Sequence, residues 1–254
     1  MKIKAIALNT FKEAIRDRIL YLLLFFAAVC IIFSRLLALL TVGDRVKIIV
    51  DVGLVSLSLF GVLMAILMGT GLVYKEIDKK TIYTLLSKPI HRYQFLLGKF
   101  LGLVLTLFIM LLLMSIIFLA VVFLHTFKIE WSIFITIFFI FIELCLITAV
   151  AILFSCFSTP ILSSIFSLSF YLIGHFSWGL ETLIEKIRPG IGKIMAQIFY
   201  IFLPNLENFN FKTEIVHHLP IPSNIFLLST LYGIAYTIFI LLLAMLVFRK
   251  RDFI

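Results

Sequence analysis

Long apolar runs separated by short polar breaks set the frame of this chain. Six runs have about the length an α-helix needs to cross a bilayer, roughly 20 residues at about 1.5 Å rise each. They cover 19–40, 49–74, 100–124, 132–157, 161–178 and 223–248. The stretch 1–18 has another pattern, with Ile3, Ala7, Phe11, Ala14 and Ile15 on one helical face and Lys4, Lys12, Arg16 and Asp17 elsewhere. That spacing predicts an amphipathic helix lying at the membrane interface.

Two polar segments are longer than a connection requires. Between the second and third runs, 75–99 places Ile77, Ile82, Leu85 and Leu86 beside Asp78, Lys79 and Lys80, which predicts a short amphipathic helix from Glu76 to Leu86. Pro89 ends it, and His91-Arg92 restarts a helix that leads into the third run. Between the fifth and sixth runs, 179–222 holds a Pro189-Gly190 break and then an apolar stretch, 191–203, closed by Pro204. At about 1.5 Å per residue that stretch reaches about 20 Å, short of the roughly 30 Å hydrocarbon core. It predicts a re-entrant or interfacial helix and not a seventh span.

Composition agrees with the pattern. Of 254 residues 63% are hydrophobic and 14% charged, and the mean hydropathy is +1.21. A soluble domain is about half apolar and about a quarter charged, so a soluble globular class is excluded. The expected fold is an all-α integral membrane protein with one transmembrane domain over 1–254. Charge then orients it. Lys2, Lys4, Lys12, Arg16 and Arg18 precede the first run; Lys75, Lys79, Lys80, Lys88, Arg92 and Lys99 fall in 75–99; Arg249, Lys250 and Arg251 follow the last run. These are most of the 22 Lys and Arg, whereas the opposite loops carry Arg45, Lys47 and Lys128. The excess of basic residues marks the cytoplasmic side and puts both termini there. The net charge of +9 therefore reads as a topology signal and not as nucleic-acid binding.

Few residues carry candidate chemistry. Glu143, in the middle of the fourth run, is a carboxylate at bilayer depth, which must face the bundle and find a donor or stay protonated. It is the candidate pathway or interface residue, with Thr148 a weak companion one turn on. Arg35 and Asp51 are expected near one surface, paired or snorkelling. His175 has no second ligand at metal spacing and reads as a capping or interfacial histidine. His217 and His218 with Glu214 read as a solvated loop cluster, and no metal site is expected. Cys30, Cys145 and Cys156 lie in apolar runs and read as buried thiols. Gly69-Thr70-Gly71 reads as a close helix approach. No phosphate loop, His-Glu-x-x-His helix or nucleophile–base set is present, so no enzyme activity and no cofactor are expected in this chain.

The run YKEIDKKTIYTLLSKPIHRYQFLLGKFLG resembles the signature of type-2 ABC exporter permeases, in particular the family of multicopper-enzyme maturation and the nitrous-oxide-reductase accessory permease. The matching positions are Glu76, Thr81, Leu85, Leu86, Ser87, Pro89, Arg92, Gly98 and Lys99. The segments NTFKEAIRDRILYLLL and LPNLENFN resemble the same family. The resemblance implies an ATP-driven exporter permease of the prokaryotic inner membrane. Within 75–99 it implies a coupling helix that docks on a separate ABC ATP-binding subunit. Two such subunits, binding ATP and Mg, would drive a dimer of permeases, expected to be a homodimer in contact with membrane lipid. A secondary transporter and a non-transporting membrane anchor of an ATPase stand as alternatives.

Overall fold

The computed structural model describes residues 2–40, 44–78, 91–127, 130–176, 204–212 and 223–250, together with isolated positions between 184 and 195. Among the described residues the regular structure is helical. Helix α1 spans Lys2–Ile15, α2 Arg18–Leu39, α3 Arg45–Asp78, α4 Arg92–Thr126, α5 Trp131–Ser155, α6 Pro160–His175 and α7 Ser223–Lys250. A 3₁₀ turn covers Leu206–Phe209. In a bilayer every backbone N–H and C=O must be satisfied within its own segment, and these helices do that.

Local chemistry sets several helix ends. The Asp17 carboxylate accepts from the Ile19 amide at 3.0 Å, so α2 starts with only Arg16 and Asp17 between it and the end of α1. The Gln94 side chain accepts from the His91 amide at 3.4 Å at the start of α4. Phe127 ends α4 in the left-handed region, at φ 52°. Pro160 opens α6, where its missing N–H costs nothing and its φ is already helical.

The middle of the bundle is α3 and α5, each 67% buried through its most apolar stretch, whereas α2 is 22% buried. Leu22, Phe25, Val29, Ile32 and Leu36 of α2 are exposed, an apolar face suited to lipid. Hydroxyls inside the bundle bond back to their own helices, as Thr106 donates to the Gly102 carbonyl at 2.9 Å and Thr148 to Leu144 at 2.6 Å. Thr70 also meets Ser164 at 2.9 Å, which ties α3 to α6.

Among the described residues five helices, α2, α3, α4, α5 and α7, are long and apolar enough to cross a membrane. The helix at the fifth expected span, α6, has 16 residues and reaches about 24 Å, less than a hydrocarbon core of about 30 Å. The depth it leaves is filled by chain. Leu206 seats where a Cβ on Gly174 of α6 would lie 2.7 Å from it, and Phe209 lies 3.0 Å from the same construction on Gly233 of α7. The Phe211 ring meets that of Phe139 in α5 at 4.4 Å between centroids. Phe139 and Glu143 stand about 12 and 18 Å along α5 from Trp131, so the polar segment 204–212 penetrates well below the end of the bundle.

The expected helix from Glu76 to Leu86 differs at its start, because α3 continues unbroken to Asp78. The expected re-entrant stretch 191–203 lies largely outside the described residues, as do Thr81, Leu85, Leu86, Ser87, Pro89, Glu214, His217 and His218.

Candidate functional site

Two places in the bundle concentrate polar side chains. The first lies inside it, where α5, α6 and the 204–212 segment meet. Glu143 on α5 is buried, 2% exposed. Its Oε1 stands 3.0 Å from Nε2 of His175, the last residue of α6, within ion-pair distance but without the alignment of a hydrogen bond. On the other side of the imidazole, Nδ1 lies 4.0 Å from Oε2 of Glu207. The ring packs edge-on against Tyr171 one turn earlier, with centroids 4.6 Å apart, and the Tyr171 hydroxyl is 3.5 Å from Ser58 of α3. A histidine between two carboxylates is a cation bridge when both its nitrogens carry protons.

The LENF turn aims Glu207 at this point. The Asn205 side chain accepts from the Glu207 amide at 3.0 Å, and the Asn210 amide donates to Glu207 Oε1 at 2.9 Å. The Asn205 backbone amide donates to the Tyr232 hydroxyl of α7 at 2.9 Å, anchoring the turn to a third helix. The two asparagines that frame LENF are therefore its local scaffold.

Lys212 closes the cluster. Burial pushes its ammonium below the usual lysine range, and Glu143, Glu207 and Asp51 act in the opposite direction. Asp51 is thus among the charges felt by Lys212. Since the folded state holds the proton on Lys212 less tightly than the unfolded chain, folding gains stability as pH rises toward the ordinary lysine pKa of about 10.4. A Lys212→Met protein is accordingly expected to melt higher than the parent at neutral pH, with the gap narrowing at alkaline pH. Thermal unfolding in detergent across that range checks this. A constant gap would remove the electrostatic cause.

The second place is at the basic end. Lys99 of α4 is 1% exposed, and its Nζ lies 3.4 Å from Glu13 Oε2 of α1. Close contact between the two helices depends on glycine. A Cβ on Gly98 would lie 2.7 Å from Ile6, and one on Gly102 would lie 2.6 Å from the Ala7 carbonyl oxygen. Arg92 Nη1 donates to the carbonyls of Phe248 and Arg249 at 3.3 and 3.0 Å, satisfying the open end of α7. Arg92, Gly98 and Lys99 therefore join α1, α4 and α7 into one unit.

Of the sequence candidates, Glu143 lies within ion-pair distance of His175 across the bundle, while Thr148 bonds back to its own helix. Sequence reading missed His175, Glu207 and Lys212 as companions of Glu143. The available signal was the LPNLENFN motif, whose acidic residue needs a buried partner once its leucine and phenylalanine pack inward. Glu76 lies in the last turns of α3.

Long apolar helices surrounding a buried carboxylate define a multi-pass membrane protein. Residues 4–253 match the family described as ABC-2 family transporter protein, and the chain belongs to that family. No curated protein matches it. Membership makes it a transmembrane subunit of an ABC transporter and implies an ABC ATP-binding partner.

Proposed function

We propose that this chain is the permease of an ATP-driven exporter, working as a dimer with both termini cytoplasmic and with 75–99 as its coupling segment. The observation that carries the reading is the unit formed by α1, α4 and α7. The segment between α3 and α4 leads directly into Arg92, Gly98 and Lys99, so a push on it reaches three helices together. Closure of ATP-binding subunits would thereby tilt helices and bias a two-state bundle. The Glu143–His175–Glu207 bridge is the opposite contact, where the 204–212 cap would hold one state closed. A secondary transporter would call for several charges at mid-membrane depth or broken repeats, and among the described residues Glu143 is nearly alone at that depth.

The test is co-purification in mild detergent with the ATP-binding subunit expressed alongside. Combined Glu76→Ala and Leu85→Asp changes should lower its recovery about tenfold for each 1.4 kcal/mol of lost contact energy, while the permease itself remains at parental yield. Recovery equal to the parent would remove 75–99 as the docking segment.

A further inference from the structure

Where the first turn of α4 meets the last turns of α7, an open groove of about 730 Å³ lies at the basic end of the bundle. Its polar end is lined by His91, Arg92 and Arg249, and Tyr93 stacks on His91 with centroids 5.5 Å apart. Its wall is Leu242, Met245 and Leu246 of α7. We propose that the groove binds one anionic phospholipid, its phosphate at Arg92 and Arg249 and an acyl chain along Leu242 and Leu246.

Several features support that occupant. Leu242, Leu246 and Arg249 follow one another at helical spacing, so the apolar stripe and the charge share one face of α7. From Leu242 to Arg249 is about 10 Å along the helix, which leads from a headgroup level into the hydrocarbon. Leu242 and Leu246 are more than half exposed, 53% and 57%, so a chain can lie on them without repacking the bundle. The carbonyls of Phe248 and Arg249 also fix the Arg92 guanidinium before any ligand arrives, which lowers the ordering cost of binding. The volume lies inside the range of about 300–1,000 Å³ typical of small-molecule sites. A soluble phosphate compound would use the charged end and leave the leucine wall without a role. Tyr93 at the rim suits the headgroup level, where aromatic residues gather. The inference stands whether or not the exporter reading holds.

The experiment is native mass spectrometry of the delipidated protein, titrated separately with phosphatidylglycerol and phosphatidylcholine, with inorganic phosphate as competitor. Phosphatidylglycerol should be retained about fivefold more for each arginine engaged, following the usual attraction of a basic side chain to an anionic surface. Arg249→Gln should remove about one such factor and leave phosphatidylcholine retention unchanged. Arg92 also holds α7, so its replacement is the less selective change. Leu246→Asn should weaken retention of both lipids. Equal retention of the two lipids by the parent, or unchanged phosphatidylglycerol retention in Arg249→Gln, would overturn the proposal. Displacement by inorganic phosphate would reduce the site to an anion site and overturn it too. Ready disulfide dimers of a Leu246→Cys protein would show instead that a second copy covers the groove.

Discussion

Replacing Gly102 by Val is expected to detach α1 from α4 and to open the segment around Arg16 and Arg18 to trypsin. The new Cβ would lie 2.6 Å from the Ala7 carbonyl oxygen and 2.6 Å from the Thr10 Cβ, and a backbone carbonyl cannot rotate away as a side-chain tip can. Overpacking costs about 1–3 kcal/mol, and contact with backbone puts this case at the upper end. Helix α1 has 14 residues, close to the length below which an isolated helix is marginal in water, so it persists through its contact with α4. Losing that contact also separates Glu13 from the buried Lys99 ammonium, which adds to the cost. The measurements are tryptic cleavage in detergent and the thermal midpoint, expected to fall by several degrees. Gly71→Ala is the control, since no atom lies within 4 Å of its constructed Cβ and a helical Ala is favoured over Gly by about 0.5–1 kcal/mol. Equal trypsin resistance in the Val variant and the parent would show that α1 is held by something other than this seam.

The same glycines show how much was legible in advance. The pair Gly69 and Gly71 suggests one packing site, yet a Cβ on Gly69 would meet Ala151 at 2.7 Å while Gly71 faces open space. Two residues apart on a helix is about 200° of rotation, so both could not face the same neighbour. Each long helix carries one of the apolar runs, because the length a bilayer demands is written directly in composition, although α4 starts at Arg92, eight residues before its run. Short α6 followed the same rule less closely, since chain from beyond the span supplies its missing depth through Leu206, Phe209 and Phe211. Arg92, Gly98 and Lys99 stand out in the sequence as a motif, but the bonds they make here run to α1 and α7, a long way off in the chain. The burial of Glu143 was readable from hydropathy. Its partner was not, because His175 is separated from it by a turn and a whole helix, and only the antiparallel packing of α5 and α6 brings them together.

That pairing gives the other large effect. Glu143→Leu and His175→Leu are each expected to destabilise the protein by about 1–3 kcal/mol, the usual cost of leaving a buried polar group without its partner. The double variant should cost less than the sum of the singles, with a coupling of about 1–3 kcal/mol, because the second change removes the group that the first one stranded. Glu207→Ala is a graded comparison: its carboxylate stands 4.0 Å from the imidazole and its side chain is 41% exposed, so solvent screening limits the loss to about 1 kcal/mol or less. Urea or thermal unfolding in detergent gives all four values. Additive singles would mean that Glu143 and His175 meet by proximity alone, and the cap would then be held by Leu206, Phe209 and Phe211. A strong coupling with a weak Glu207 effect would place the latch between α5 and α6, beneath the cap and independent of its charge.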